Sequence, residues 1–259
     1  MIMSIATELT RIQQAKADIK TSIESKGVTV PSATTIDGYP SLVNTIQTFD
    51  PYAGHDYVEI GGLKWATMNI GANSVTDYGQ YFQWGDTTGY LSSDAGIQSK
   101  ANKKPFNWSD YKFSGGRTSP GNSGQTKYNI SDGKTVLDKC DDAARANWGG
   151  SWRMPTTAEF QALGNAVNTA WTASYQGSSV SGLVCTDKTD SSKVLFFPAA
   201  GRCYYGSVDE VGSYCNYWSS SLESSSKQFA LSANVGDGYV NWRGSSNRLF
   251  GFPVRGVVG

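Results

Sequence analysis

From Tyr57 onward, β-type residues come in short runs: "YVEI" (57–60), "LKWATM" (63–68), "YGQYFQW" (78–84), "KVLFF" (193–197) and "QFALSA" (228–233), separated by Gly, Ser, Asn and Asp. Runs of this length make strands, not long helices, and the punctuation between them makes loops. Two helical stretches interrupt the series. "TVLDKCDDAARANW" (135–148) places Val136, Leu137, Cys140, Ala144 and Trp148 roughly on one helical face, and predicts a single helix. "PTTAEFQAL" (155–163) has Thr156 as an N-cap with Glu159 three residues later, the spacing of a capping box. The expected fold class is α+β, with short strands, few helices and an unusually large share of loop.

The first 46 residues read differently. Ile2, Ile5, Leu9, Ile12, Lys16, Ile19 and Ile23 alternate at spacings of three and four, the a and d positions of about three heptads. Isoleucine at both positions tilts a coiled coil toward a trimer, with Lys16 setting register at a cost in stability. The same stripe also suits an amphipathic helix packed on its own domain. Gly27 should end the helix; after it come a short extended piece, a turn at Asp37 and Gly38, and a helical turn from Pro40 to Ile46. "QTFDPYAGHD" (47–56) reads as a linker. The expected organisation is thus a helical attachment or oligomerisation segment at 1–46, a linker at 47–56 and a ligand-binding domain at 57–259.

Charge removes several function classes. Charged residues are 17% of the 259, below the roughly 25% of ordinary soluble domains, and 22 basic residues balance 22 acidic ones. The one basic knot, Lys100, Lys103 and Lys104, reads as a solvated loop, so no nucleic-acid partner is expected. No apolar run approaches 18 residues, and the start lacks the basic and apolar regions of a signal peptide. The expectation is synthesis in the cytoplasm without membrane insertion.

Catalytic and metal chemistry have little to build on. The single histidine, His55, lies in the linker, so neither a Ser-His-Asp triad nor a multi-histidine metal site can be assembled. Cys140, Cys185, Cys203 and Cys215 form no C-x-x-C. Free thiols are the default, with a Cys203–Cys215 bridge as the alternative. The Gly-rich stretches lack phosphate-loop spacing, and Asp187 and Asp190 read as a turn, not a calcium loop. A carboxylate pair brought together by the fold, as in a glycosidase, stays open. No cofactor and no metal are expected.

Composition points elsewhere. From Tyr204 to Phe250, Tyr, Ser, Gly and Asn supply 25 of 47 residues. That mixture of rigid aromatic area and small adaptable polar groups is what binding loops use. Ordinary surface loops share part of it.

Read in order, "GLKWATMNIGA" (62–72), "YGQYFQWGD" (78–86), "DDAARANWGGSWRMPTTAEFQAL" (141–163), "FFPAAG" (196–201), "YWSSS" (217–221) and "NRLFGFPVRGV" (247–257) resemble one family, the Fibrobacter succinogenes major paralogous domain. The resemblance covers about 57–259 and implies a C-type-lectin-like fold related to the formylglycine-generating enzyme group. Versions ending in a "YWSSS … GFPVR" block resemble the variable proteins of diversity-generating retroelements, in which miscopied adenines turn Asn codons of the C-terminal block into many others. The N-terminal segment looks similar to attachment segments of bacteriophage tail and prophage structural proteins. Together these resemblances imply a phage or prophage tail protein that binds a bacterial surface receptor, protein or glycan, through a varied surface. Other tail proteins would hold its N-terminal segment, and copies would assemble as a homo-oligomer, in the simplest case a trimer in the virion tail.

The variable surface so implied draws on Tyr204, Tyr205, Tyr214, Asn216, Ser224 and Ser225, then on Phe229, Ser232, Asn241, Arg243, Ser245 and Asn247, and finally on Leu249 and Phe250. Asn codons miscopied at adenines cannot yield Trp, Glu, Gln or Lys, so Trp218, Trp242, Glu223, Lys227 and Gln228 should belong to the constant part. Three further expectations divide frame from surface. "WGGSWRMPT" and "FGFPVRGV" should be structural, with Phe252 and Val254 alternating in a buried strand. Arg255 should bury its stem and pair its fork with a carboxylate or carbonyls. "RGSSN" (243–247) should be an exposed turn built on Gly244.

The departures from relatives of that fold matter too. No Glu-Pro-Asn, Gln-Pro-Asp or Trp-Asn-Asp run occurs, so calcium-mediated sugar binding is not carried over. The closely spaced cysteine pair of the enzyme branch is missing, the nearest two being twelve apart. A fixed-specificity adhesin or glycan-binding module is the first alternative, and an enzyme of the formylglycine-generating type the second.

Overall fold

Helix α1 (Ile5–Glu24) forms where the three-and-four spacing predicts it, over a stretch free of Gly and Pro. Its solvent side carries local pairs, Glu8 with Arg11 at 3.1 Å and Gln14 with Asp18 at 2.8 Å. The structure, a computed structural model, describes residues 5–26, 28–44, 50–94 and 103–259. It divides into two compact units, Met1–Asp50 and Pro51–Gly259. In the first, a 3-10 turn at Ile36–Gly38 leads into α2 (Tyr39–Asn44), and Ile23 is buried against Val30 and Tyr39. Among the described residues the packing on its own unit is concentrated in the second half of the helix, where the Tyr39 hydroxyl also reaches the Lys16 carbonyl at 3.5 Å. Ile5, Leu9, Ile12 and Ile19 stay exposed, Ile5 at 89%. Ile2, Gly27 and Ile46 lie outside the described residues.

The second unit starts at Pro51, inside the stretch expected as linker. The Pro51 carbonyl accepts from Ser151 N at 2.8 Å, the Tyr52 carbonyl accepts from Trp152 Nε1 at 2.6 Å, and His55 stacks on Trp148 at 4.1 Å. Residues 51–56 thus belong to the packed body, and residues 47–49 are outside the described ones.

Strands β1 (Tyr57–Ile60) and β2 (Leu63–Asn69) form a hairpin across Gly61 and Gly62. "YGQYFQW" is not a strand of a sheet: the chain touches its neighbours through single bridges, Tyr81 with Tyr90 and Phe82 with Phe252. The stretch 135–148 is also corrected. It makes a 3-10 turn at Lys139–Asp141 and then a short helix, α3 (Ala143–Trp148). Asp142 breaks the periodic pattern because its carboxylate caps α3 at Arg145 N, 3.0 Å, and also reaches Met154 N at 2.8 Å, which holds its backbone extended. Val136 consequently leaves the apolar face and is exposed. Helix α4 (Thr157–Ala166) has the expected capping box, with Thr156 N donating to Glu159 Oε2 at 2.7 Å and Glu159 N to Thr156 Oγ1 at 3.3 Å.

A meander of β3 (Val167–Thr172), β4 (Gly182–Asp187) and β5 (Val194–Pro198) follows. Its β4–β5 turn is fastened by Asp187, whose Oδ1 accepts from Thr189 N at 2.7 Å and Asp190 N at 3.0 Å, as a turn reading requires. Then come a small hairpin, β6 (Arg202–Tyr204) and β7 (Ser207–Asp209), and a three-stranded sheet of β8 (Tyr214–Leu222), β9 (Phe229–Gly236) and β10 (Tyr239–Asn247). Strand β11 (Arg255–Val258) closes the unit by pairing antiparallel with β2. The fold is α+β, with few helices and several small antiparallel sheets.

Two large apolar clusters form most of the core of the second unit, beside a smaller one of Tyr81, Phe106, Ala200 and Cys203. Of the large ones, one gathers Trp84, Tyr128, Trp218 and Phe252; the other gathers Trp65, Phe160, Phe197, Tyr217 and Val235. A buried arginine pins each of these two. Arg255 donates Nε–H to Asn69 Oδ1 at 2.9 Å and spends its fork on the carbonyls of Ala66, Thr67 and Phe196, at 2.9 to 3.1 Å. Arg248 lies between the rings of Trp84, Tyr111, Phe113 and Tyr128, 4.8 to 5.8 Å from their centres. Phe252, Pro253 and Val254 are all buried, so the expected alternation is absent and β11 begins only at Arg255.

Candidate ligand-binding surface

The sheet β10–β9–β8 has two unlike faces. Cys215, Tyr217, Ala233 and Val235 point into the core. Register puts the opposite face in rows: Tyr214, Gly236 and Tyr239; then Asn216, Asn234 and Asn241; then Trp218, Ser232 and Gly244. Between Asn241 and Gly244 strand β10 gains one residue over β9, a β-bulge. The bulge turns Trp242 inward, stacked 6.1 Å from Phe160, and leaves Arg243 exposed. The "RGSSN" stretch is therefore a strand with a bulge rather than the expected turn, because β9 supplies it with a ladder partner.

The middle of this face is a polar floor. Asn234 Nδ2 donates to Asn216 Oδ1 at 2.7 Å, Ser232 Oγ donates to Asn234 Oδ1 at 2.8 Å, and Ser232 and Ser246 hydroxyls meet at 3.1 Å. Asn216 Nδ2 continues the chain to Glu210 Oε2 at 3.2 Å, and Glu210 pairs with Arg202 at 3.0 Å. Gly244 makes room for it, since a Cβ there would collide with Asn234 Oδ1. Connected amide and hydroxyl groups of this kind hold each other in fixed rotamers.

Around the floor stand exposed groups. Tyr214 and Tyr239 are 40% and 50% exposed, and Asn241 Nδ2 donates to the Tyr239 hydroxyl at 3.1 Å. Arg243 N donates to Asn241 Oδ1 at 3.0 Å, and Arg243 is exposed. A second group sits by β6: Tyr204 is edge-on to Phe250 at 4.8 Å and to Tyr205 at 4.4 Å, with the Arg202 guanidinium 5.2 Å from the Phe250 ring centre.

The structure does not gather all fourteen expected residues into one patch. Ser224, Ser225 and the half-buried Phe229 lie at the β8–β9 turn, the far end of β8 from Tyr214, roughly 25 Å away by strand rise. Asn247, paired with Phe229, is at that end too, and Ser245 is exposed beside it. Asn216, Ser232 and Leu249 are corrections: none is exposed. The first two are consumed by the polar floor, and Leu249 joins the core because Arg248 anchors the chain immediately before it. Sequence reasoning missed Arg202, Glu210, Asn234 and Tyr239. Tyr239 could have been found by stepping two residues back from Asn241, whereas Asn234 needs the cross-strand register.

Other expected groups are accounted for by packing. Cys203 and Cys215 are free, and burial pushes both thiols up to about 12. Lys104 is buried between Asp86 at 3.5 Å and Asp110 at 3.1 Å, so the basic knot is not a free patch; Lys100 lies outside the described residues. Asp138, Cys140 and Asp141 bring ligand-type atoms within 4.8 Å of one another, but Lys112, Lys127 and Lys134 pair with the two carboxylates and make this an ion-pair cluster. Among the described residues no helix is long and apolar enough to cross a membrane. No family model matches this chain, and neither a curated protein nor a solved structure does.

Proposed function

We propose that the chain is a receptor-binding protein of the diversity-generating retroelement type, with a C-type-lectin-like frame from Pro51 to Gly259, carried on a phage or prophage tail. The observation that carries this reading is the division of labour in the second unit. The quoted family motifs supply the frame: Trp65, Trp84, Trp152, Phe197, Trp218 and Arg255 are all nearly or fully buried. Tyr205, Tyr214, Tyr239 and Arg243 stand exposed on short segments which that frame holds. Tyrosines on a rigid support offer large contact area at small entropy cost, and changing them leaves the core untouched. Trp242, which miscopied Asn codons cannot produce, is turned inward on Phe160, as a constant position should be.

The ligand is a bacterial surface protein or glycan, bound by shape and hydrogen-bond complementarity. The exposed Ile5, Leu9, Ile12 and Ile19 of α1 would join copies as a trimer, so that avidity raises a weak single-site affinity. Raised thiol pKa values at Cys203 and Cys215 disfavour the thiolates that oxidase chemistry needs, which supports a binder over the enzyme reading.

The test is to sequence this locus and its flanking DNA across related isolates. A near-copy of codons 203–250, with differences between isolates confined to its adenines and falling at exposed positions such as 205, 214, 239 and 243, is the expected result. A constant block with no copy nearby would leave a fixed-specificity adhesin in its place.

A further inference from the structure

Of the five charged side chains around one cavity, three are engaged within the protein and two are not. The cavity, about 280 Å³, lies between the 3-10 turn before α3 and the first turn of α4. Both of its acids have donors already. Asp142 accepts from Arg145 N at 3.0 Å and from Met154 N at 2.8 Å. Glu159 accepts from both arms of the Arg153 fork, at 2.8 and 2.6 Å, and from Thr156 N at 2.7 Å. Arg153 is thereby committed too, with Nη1 also reaching the Met154 carbonyl at 3.3 Å. The Lys139 ammonium and the Arg145 guanidinium make neither a hydrogen bond nor an ion pair among the described residues. Such groups donate and never accept, so what the cavity has left to offer is N–H donors carrying positive charge.

Charge sets the class of occupant. The Arg153–Glu159 pair cancels itself and Asp142 offsets one of the other two bases, which leaves one net positive charge on the wall. A monoanion balances it, whereas a dianion such as phosphate leaves an excess negative charge beside Asp142. A planar carboxylate also matches the guanidinium fork of Arg145. The rest of the lining is mostly apolar. Val136 is 44% exposed at the rim, and Leu137 and Met154 reach the cavity from the core. The volume falls just under the roughly 300 Å³ at which drug-sized sites begin, room for a carboxylate on a tail of about four to eight carbons. Such a tail would also cover Val136, the aliphatic side chain that the shortening of α3 leaves in water.

We propose that this cavity binds a short aliphatic monocarboxylate, with Arg145 and Lys139 holding the carboxylate and Val136, Leu137 and Met154 taking the chain. Apart from Ser220 the lining comes from 136–159, outside the 203–250 block. The site therefore goes beyond the receptor-binding reading and does not depend on it.

The experiment titrates the full chain with sodium hexanoate, read by saturation-transfer NMR in a buffer free of carboxylate and phosphate. Hexanoate should bind with Kd of order 1 mM. Hexanamide, which keeps the tail and loses the charge, should bind about tenfold more weakly or not at all, and equimolar inorganic phosphate should not displace hexanoate. Arg145→Gln should weaken hexanoate by about tenfold, and Lys139→Gln, at the more exposed base, by less. Neither substitution should move the thermal midpoint, because both side chains lack protein partners. Val136→Ser should weaken hexanoate more than it weakens acetate, which has no tail to lay on that wall. Absence of hexanoate binding, equal binding of hexanamide, displacement by equimolar phosphate, or hexanoate binding that Arg145→Gln leaves intact each overturns the proposal.

Discussion

Arg248 donates its Nε–H to the Tyr111 hydroxyl at 2.7 Å, and that hydroxyl donates in turn to the Trp84 carbonyl at 2.8 Å. The other guanidinium nitrogens reach the carbonyls of Lys127, Tyr128 and Lys227, at 2.8 to 3.2 Å. One side chain thus fastens the long loops before α3 to the β8–β9 turn and to the end of β10, without a carboxylate partner among the described residues. A lysine has the charge but not the fork. Arg248→Lys should therefore destabilise almost as much as Arg248→Ala, by about 3–5 kcal/mol in urea melts. A near-neutral Arg248→Lys would show that the cage, not the fork, carries the stabilisation.

Acid should weaken the second unit through Asp141. Burial alone would raise this carboxyl, but hydrogen bonds from Lys112, Lys127 and the Tyr128 hydroxyl together hold it below its ordinary value of 3.8. A carboxylate depressed in the folded state contributes stability that is fully present above its unfolded value and is lost as pH falls through the folded one. Denaturation midpoints should hence drop below about pH 4. Asp141→Asn should flatten that limb while lowering stability at pH 7; an unchanged acid limb would remove Asp141 from the account.

Gly164 on α4 faces the Trp242 indole so closely that a Cβ would collide with its ring atoms. Gly164→Ala should cost about 1–3 kcal/mol by overpacking, despite alanine's better helix propensity. In a Trp242→Phe background the smaller ring leaves room, and the loss should shrink. Strict additivity in the double-mutant cycle would contradict the contact.

Sedimentation of the full chain should show an oligomer, with three copies expected, held by the exposed α1 seam. Ile12→Asp places a charge in the middle of that seam and should yield monomers with unaltered melting of the second unit. Monomers in the unsubstituted chain at micromolar concentration would count against self-assembly through α1.

Much of the frame is legible in the chain because its signals are local. The Thr156–Glu159 capping box, the Asp187 turn and the three-and-four spacing of α1 each depend on residues within one or two turns of each other. The same locality explains what went astray. Stretch 135–148 has helical periodicity, but Asp142 is claimed by Met154 N, twelve residues away, and the helix shortens. "RGSSN" has turn composition, but a ladder with β9 makes it a bulged strand. Composition singled out the block from Tyr204 to Phe250 as unusual without sorting its residues. Asn216, Ser232 and Asn241 look alike in the chain, yet the first two are buried in a hydrogen-bonded floor and the third stands at its rim. The sequence by itself determined the α+β class, the Thr156 cap of α4 and the burial of Arg255 at the start of the C-terminal strand. Only tertiary structure decided which polar residues spend their hydrogen bonds on one another and which stay exposed, because that depends on cross-strand register and on backbone contacts such as Tyr205 with Phe106, between residues far apart in the chain.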